Sequence, residues 1–233
     1  MRRPLRLVSY NIRKAVGLDR KRAPERILDV VNRLEGDVVL LQEADRRLGN
    51  RPTALPMEMI EAETDYTVAP LAPNDVSLGW HGNAVLVRKG LTVQNTAQLE
   101  LPGLEPRGAV MVQVEDLTLI GTHLALLRPW RRQQIRAILD SLDDDQKAHS
   151  IVAGDFNEWS DTLGLEDLIE SHDIVAPGKT FHASRPIAAL DRIAHGHKLE
   201  IGDAGVDQSP RARESSDHLP IWANVAPKDD GKG

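Results

Sequence analysis

Short apolar runs of strand length recur along this chain, and most of them stop at a polar residue. Residues 5–12 alternate and hold β-branched and aromatic side chains, which reads as a strand. Residues 37–41 form an apolar run that ends at Gln42-Glu43. Residues 84–87, 91–96, 110–114 and 117–121 read as consecutive strands, with Gly90 and Glu115-Asp116 at the turns. A buried strand over 149–153 feeds Gly154-Asp155, and strands near 189–194, 199–201 and 220–225 follow. Helical spacing is confined to a few stretches. Pro24 opens one in which Ile27, Val30, Val31 and Leu34 share a face, with Gly36 as the expected C-cap. Residues 129–142 form another, with Ile135, Ile138, Leu139 and Leu142 on its apolar side. Short helices are expected near 57–62 and 163–170, a basic loop over 14–22, and a polar, frayed tail over 228–233. Hairpins between helices, without regular βα alternation, predict an α+β sandwich. Its two mostly antiparallel sheets pack face to face, with helices outside.

No repeat or linker divides the 233 residues, so one domain over 1–233 is expected, with its core in 5–225. Only 3% of residues are aromatic, which argues against a surface of stacking platforms for single-stranded bases. The net charge of −6 and the pI of about 5.8 count against tight binding to long nucleic acid. Cysteine is absent, which excludes disulfides and thiolate zinc sites. The start of the chain is basic, but no long apolar segment follows. The expectation is therefore no signal peptide, no membrane insertion, a cytoplasmic location and a monomer.

The polar residues at the run ends make an oxygen-rich set suited to Mg²⁺ or Mn²⁺. Phosphodiesters resist hydrolysis because their charge repels nucleophiles. A catalyst must neutralise that charge, place a water in line and protonate the leaving oxygen. Asn11 and Glu43 can hold a hard ion, although Glu43 alone reads as a surface charge at a strand end. Asp155 and Asn157 lie two apart, so in extended geometry they point the same way. Asp155 can then activate water while Asn157 donates to phosphoryl oxygens. Gly-Asp-x-Asn is also good turn chemistry, but apolar Phe156 between the two is not what a solvated turn needs. Asp191 is the candidate to orient His218 as general acid or base, with Asp217 aiding a metal. The bland alternative for Asp217-His218 is an Asx-type turn before a strand. His123 ends a strand run, where a structural role is the commoner one, and His81, His149, His172, His182, His195 and His197 read mostly as bystanders. Arg107 can reach a phosphate with its guanidinium fork, although a surface arginine is the simpler reading.

Ser9-Tyr10-Asn11-Ile12, Leu41-Gln42-Glu43, His81-Gly82-Asn83-Ala84, Gly121-Thr122-His123, Gly154-Asp155-Phe156-Asn157, Leu190-Asp191-Arg192-Ile193 and Ser216-Asp217-His218-Leu219-Pro220 together resemble the endonuclease/exonuclease/phosphatase superfamily. That superfamily includes DNase I-like nucleases, neutral sphingomyelinases and inositol polyphosphate 5-phosphatases. The resemblance implies a four-layer α/β/β/α sandwich and Mg²⁺ dependence. It assigns metal binding to Asn11 and Glu43, water activation to Asp155 beside Asn157, and a phosphate-stabilising or proton-transfer role to His123. It pairs Asp191 with His218. Asn83 and Arg107 are the substrate-contact candidates. The expected function is a metal-dependent phosphodiesterase or nuclease acting on a phosphodiester, nucleic acid among the candidates. A phosphomonoesterase or a lipid-headgroup phosphodiesterase is the alternative. A catalytically dead binding module would have been free to lose Asp155 or His218, and neither is lost.

Overall fold

The structure, a computed structural model, describes residues 3–160 and 163–228. Two six-stranded sheets form its centre. The first contains β1 (Leu5–Asn11), β2 (Val38–Gln42), β3 (Tyr66–Val68), β4 (Ala84–Arg88), β11 (Leu199–Val206) and β12 (Ile221–Pro227), ordered β11-β12-β1-β2-β4-β3. The second contains β5 (Val93–Leu101), β6 (Arg107–Val114), β7 (Leu117–His123), β8 (Ser150–Asp155), β9 (His172–Val175) and β10 (Asp191–Gly196), ordered β5-β6-β7-β8-β10-β9. Each sheet has one parallel pair, β1 with β2 and β7 with β8, and is otherwise antiparallel. Parallel neighbours need a crossover. Helix α1 (Pro24–Leu34) supplies the first, and α3 (Arg128–Asp140) with α4 (Asp144–Ala148) supplies the second.

Strand alternation builds the layers. In β2, Val38 and Leu40 face the second sheet while Val39 and Leu41 face α1. The inner cluster joins Leu7, Leu40 and Val85 to Val112, Leu119, Ile151 and Ile193. Outside the first sheet, α1, α2 (Met57–Glu63) and α6 (Pro210–Ser215) bury Ile27, Val31, Ile60 and Ala212. Outside the second, α3 and α5 (Glu166–Ile169) bury Ile135, Ile138 and Leu168. This is the expected four-layer α/β/β/α sandwich.

Several elements differ from the sequence reading. Glu35, with φ +51°, rather than Gly36, takes the left-handed position that ends α1. Gly36 answers to crowding instead, since a Cβ there would lie 2.8 Å from Val8 Cγ2. Strands β5 and β6 run longer than their apolar runs, because β5 is an edge strand whose outward side chains are polar. Elements β3, β9, α4 and α6 were not foreseen, being too short to carry a period. The expected 163–170 helix shortens to α5. Of the tail expected over 228–233, residues 229–233 lie outside the described residues.

Candidate active site

Both parallel pairs end at the same rim of the sandwich, where open sheets deliver side chains to ligands. Asn11, His123 and Asp155 are the last residues of β1, β7 and β8, and Glu43 follows β2. The neighbouring strands run the other way, so Asn83 precedes β4, Arg107 opens β6, Asp191 opens β10, and Asp217-His218 precede β12. Asn11, His123, Asp155 and Asp191 share strand parity with the inward residues Leu7, Leu119, Ile151 and Ile193 of their respective strands, so all four turn into the gap between the sheets.

Asp155 is the meeting point. Its Oδ2 accepts from Asn11 Nδ2 at 3.0 Å across the two sheets. His123 Nε2 lies 3.3 Å from the same oxygen, and His218 Nε2 3.5 Å from it. The other ring nitrogen of His218, Nδ1, is 2.8 Å from Asp191 Oδ2. Phe181 covers the His218 ring at a centroid distance of 5.0 Å. Asp191 Oδ1 is buried without a hydrogen-bond partner. All of these carboxylates and imidazoles are buried.

The surroundings push these groups apart electrically. Burial opposes the charged form of His218, but the Asp191 and Asp155 carboxylates outweigh it and raise its pKa above the ordinary imidazole value. Burial, then Arg107, pushes His123 well below that value. Burial also raises Asp155; His218 opposes this and Asp191 adds to it. The rim therefore holds a protonated imidazole, a neutral imidazole and a strengthened carboxylate base side by side.

Asn157 departs from its expected geometry. Strand β8 stops at Asp155, and Asn157 takes φ +51°. Its amide N–H closes an Asx turn on Asp155 Oδ1 at 2.9 Å, and its Nδ2 donates to the Leu124 carbonyl at 2.9 Å. Turn chemistry and site chemistry thus share the same residues. Asn83 is buried and donates across the sheets to the Gly108 carbonyl at 2.9 Å, so its amide ties the rim together instead of lining the cleft. Arg107 does line the cleft, paired with Glu105 at 2.8 Å.

Asn11, Glu43 and Asp217 offer oxygen donors of the kind a hard divalent cation takes. Glu43 already collects positive charge from Lys14 and, at 3.6 Å, from Arg47. Asp217 draws Arg13 Nε to 3.3 Å, and Asn11 Oδ1 accepts the Arg13 amide at 3.1 Å. Asp155, Asp191 and His218 also bring three ligand atoms within 4.8 Å of one another. That second set is less open, because the Asp191–His218 hydrogen bond occupies Nδ1.

Lys14, Arg47, Arg51 and His81 line the same cleft as Glu43 and His123. Of these, His81 reads from the sequence as a bystander. It is placed by a two-residue turn in which His81 and Gly82 both have positive φ between the paired Trp80 and Asn83. The Arg46-Arg47 and Arg51 charges just beyond Glu43 were the signal for the cleft wall, hidden in an irregular stretch.

The family model described as Endonuclease/Exonuclease/phosphatase family matches residues 8–218. The chain belongs to that family, and is a phosphoric ester hydrolase by class. "Uncharacterized protein YbhP" of Escherichia coli K12 is 25% identical over 245 residues, spanning 94% of this chain and 95% of that protein. The human Nocturnin catalytic domain, solved with a bound sulfate anion, aligns with a TM-score of 0.73 at 20% identity, covering 98% of this chain and 96% of that one. The Bacteroides thetaiotaomicron mannosyl-6-phosphatase Bt3783 aligns with a TM-score of 0.73 at 16% identity, covering 95% and 99%.

Proposed function

We propose that this protein is a Mg²⁺-dependent phosphodiesterase that cleaves its substrate by attack of water. The observation that carries this is the convergence of Asn11, His123 and His218 on Asp155 at the rim. Asn11 and Glu43, with Asp217 nearby, would hold the ion, which when bound neutralises phosphate charge. Asp155, raised by burial, takes the proton of the attacking water. His218, held and kept protonated by Asp191, gives a proton to the departing oxygen. Neutral His123 and the second amide N–H of Asn157 donate to the phosphoryl oxygens. Residues 1–233 act as one domain, as a cytoplasmic monomer; no helix among the described residues is long and apolar enough to cross a membrane. Mn²⁺ can replace Mg²⁺ at such a donor set.

A phosphomonoesterase is the second reading, since a protein of the same fold is named a mannosyl-6-phosphatase. Hydrolysis of bis-p-nitrophenyl phosphate against p-nitrophenyl phosphate separates the two. EDTA is expected to abolish turnover, Mg²⁺ to restore it, and Asp155→Asn to lose roughly 10²-fold or more in kcat. Full activity in metal-free buffer, or near wild-type kcat for Asp155→Asn, overturns the assignment.

A further inference from the structure

The cleft beside Glu43 and His123 has more cations than the chemistry above uses. Lys14, Arg47, Arg51 and Arg107 line it. The carboxylates around it are already engaged. Glu43 holds Lys14, and Glu105 holds Arg107 at 2.8 Å. Asp45 accepts the amides of Leu78 and Gly79 at 2.7 and 3.3 Å. Arg51 is left over: among the described residues its guanidinium makes no hydrogen bond or ion pair, although its charge acts on the Asp45 carboxylate across the cleft. A guanidinium without a direct ion pair keeps its donor fork available to an incoming anion. The whole chain carries a net charge of −6, so this concentration of arginine runs against the overall balance.

The wall is also held in place before any ligand arrives. Arg51 has φ +52°, and its carbonyl accepts from Ser77 Oγ at 2.9 Å. Asp45 and Thr53 bridge the two ends of the loop that carries Arg47 and Arg51. Such pre-organisation lowers the ordering cost of binding. His81 lines the same cleft, and its Nδ1 is buried without a partner. Burial and then the Arg51 charge push the His81 imidazole below its ordinary value. A phosphate monoester supplies the charged oxygens that guanidinium forks bind.

We propose, building on the hydrolase function above, that this cleft binds a second, non-scissile phosphate, so that the natural substrate is a small phosphoester carrying a neighbouring phosphate group. Arg51 is the specificity residue, with Arg47 and Arg107 beside it.

Two chromogenic esters that differ by one group provide the test: thymidine 5′-(p-nitrophenyl phosphate) with and without a 3′-phosphate. Wild type is expected to favour the 3′-phosphorylated ester by about tenfold or more in kcat/KM, mostly through KM, in line with a charge-assisted contact. Arg51→Gln should bring the ratio of the two esters close to one, and Arg51→Lys should restore part of it. A ratio near one in wild type, or an undiminished ratio in Arg51→Gln, overturns the proposal. If neither ester is hydrolysed, the catalytic assignment fails separately. Calorimetry with inorganic pyrophosphate then judges the cleft alone, with Arg51→Gln expected to bind at least tenfold more weakly; equal binding overturns it.

Discussion

Asp191 sits opposite Asp155 across the β8–β10 pair, and its charge also acts through the imidazole of His218. Nδ1 of His218 is 2.8 Å from Asp191 Oδ2, which leaves Nε2 toward Asp155, 3.5 Å from its Oδ2. Removing the negative charge lowers the proton affinity of His218 and loosens its tautomer. We expect Asp191→Asn to lower kcat steeply and to move the basic limb of the pH–rate profile toward lower pH, because the imidazole then loses its proton earlier. The double variant Asp191→Asn/His218→Ala should be little worse than His218→Ala alone, since residues acting as a unit are not additive. Multiplicative losses in a double-mutant cycle of kcat/KM would show that Asp191 works independently, as a metal ligand does.

At the scale of elements, the segment that leaves β8 is clamped by α3. Glu158 is buried and accepts two bonds from Arg128, at 2.9 and 2.8 Å, and one from Arg131 at 2.5 Å. Arg192 of β10 donates to the carbonyls of Glu158 and Ser160, both at 2.9 Å. Burial works to raise the Glu158 carboxyl, but Arg128, the Ser160 amide and Arg131 outweigh it and hold it at about 2. The clamp sets the exit path of the chain one residue after Asn157. Breaking a buried ion pair strands the partner charge, so Glu158→Gln should cost about 3–5 kcal/mol in urea unfolding. Arg128 is 44% exposed, and Arg128→Ala should cost only about 1 kcal/mol or less. Comparable losses for the two variants would mean that the buried Arg131–Glu158 contact carries little.

Across the whole molecule, the rim with the chemistry and the opposite rim behave differently toward protons. His172 opens β9 opposite Gly196, at the far end of β10 from Asp191. It is buried between the hydroxyls of Ser150 at 2.9 Å and Ser171 at 2.8 Å. Burial, then the positive field of His197 and His195, lowers it to about 4. The unfolded chain binds this proton near the ordinary value of about 6.5, so between there and 4 it holds more protons than the native state. Stability from neutral His172 is thus complete above about pH 6.5 and is lost as pH falls toward 4. The loss is about 3 kcal/mol at most. Urea unfolding of wild type and His172→Asn should show a flatter acid limb in the variant; parallel limbs would refute the role of His172.

The sequence by itself determined the strand-ending positions of Asn11, His123 and Asp155, because alternation within an apolar run dictates which face a residue takes. It also determined the α1 and α3 faces, whose apolar spacing survives in the buried residues Ile27, Val31, Ile135 and Ile138. Only the tertiary structure decided that Asn157 turns back onto Asp155 and Leu124, and that the Asn83 amide N–H spans the sheets to Gly108. It alone placed Arg51 and His81 on one wall with Arg107. Those positions depend on left-handed backbone at Arg51, His81 and Asn157, and on pairing between segments far apart in the chain. Local propensity carries no record of either, since each is selected by what the neighbouring sheet leaves open.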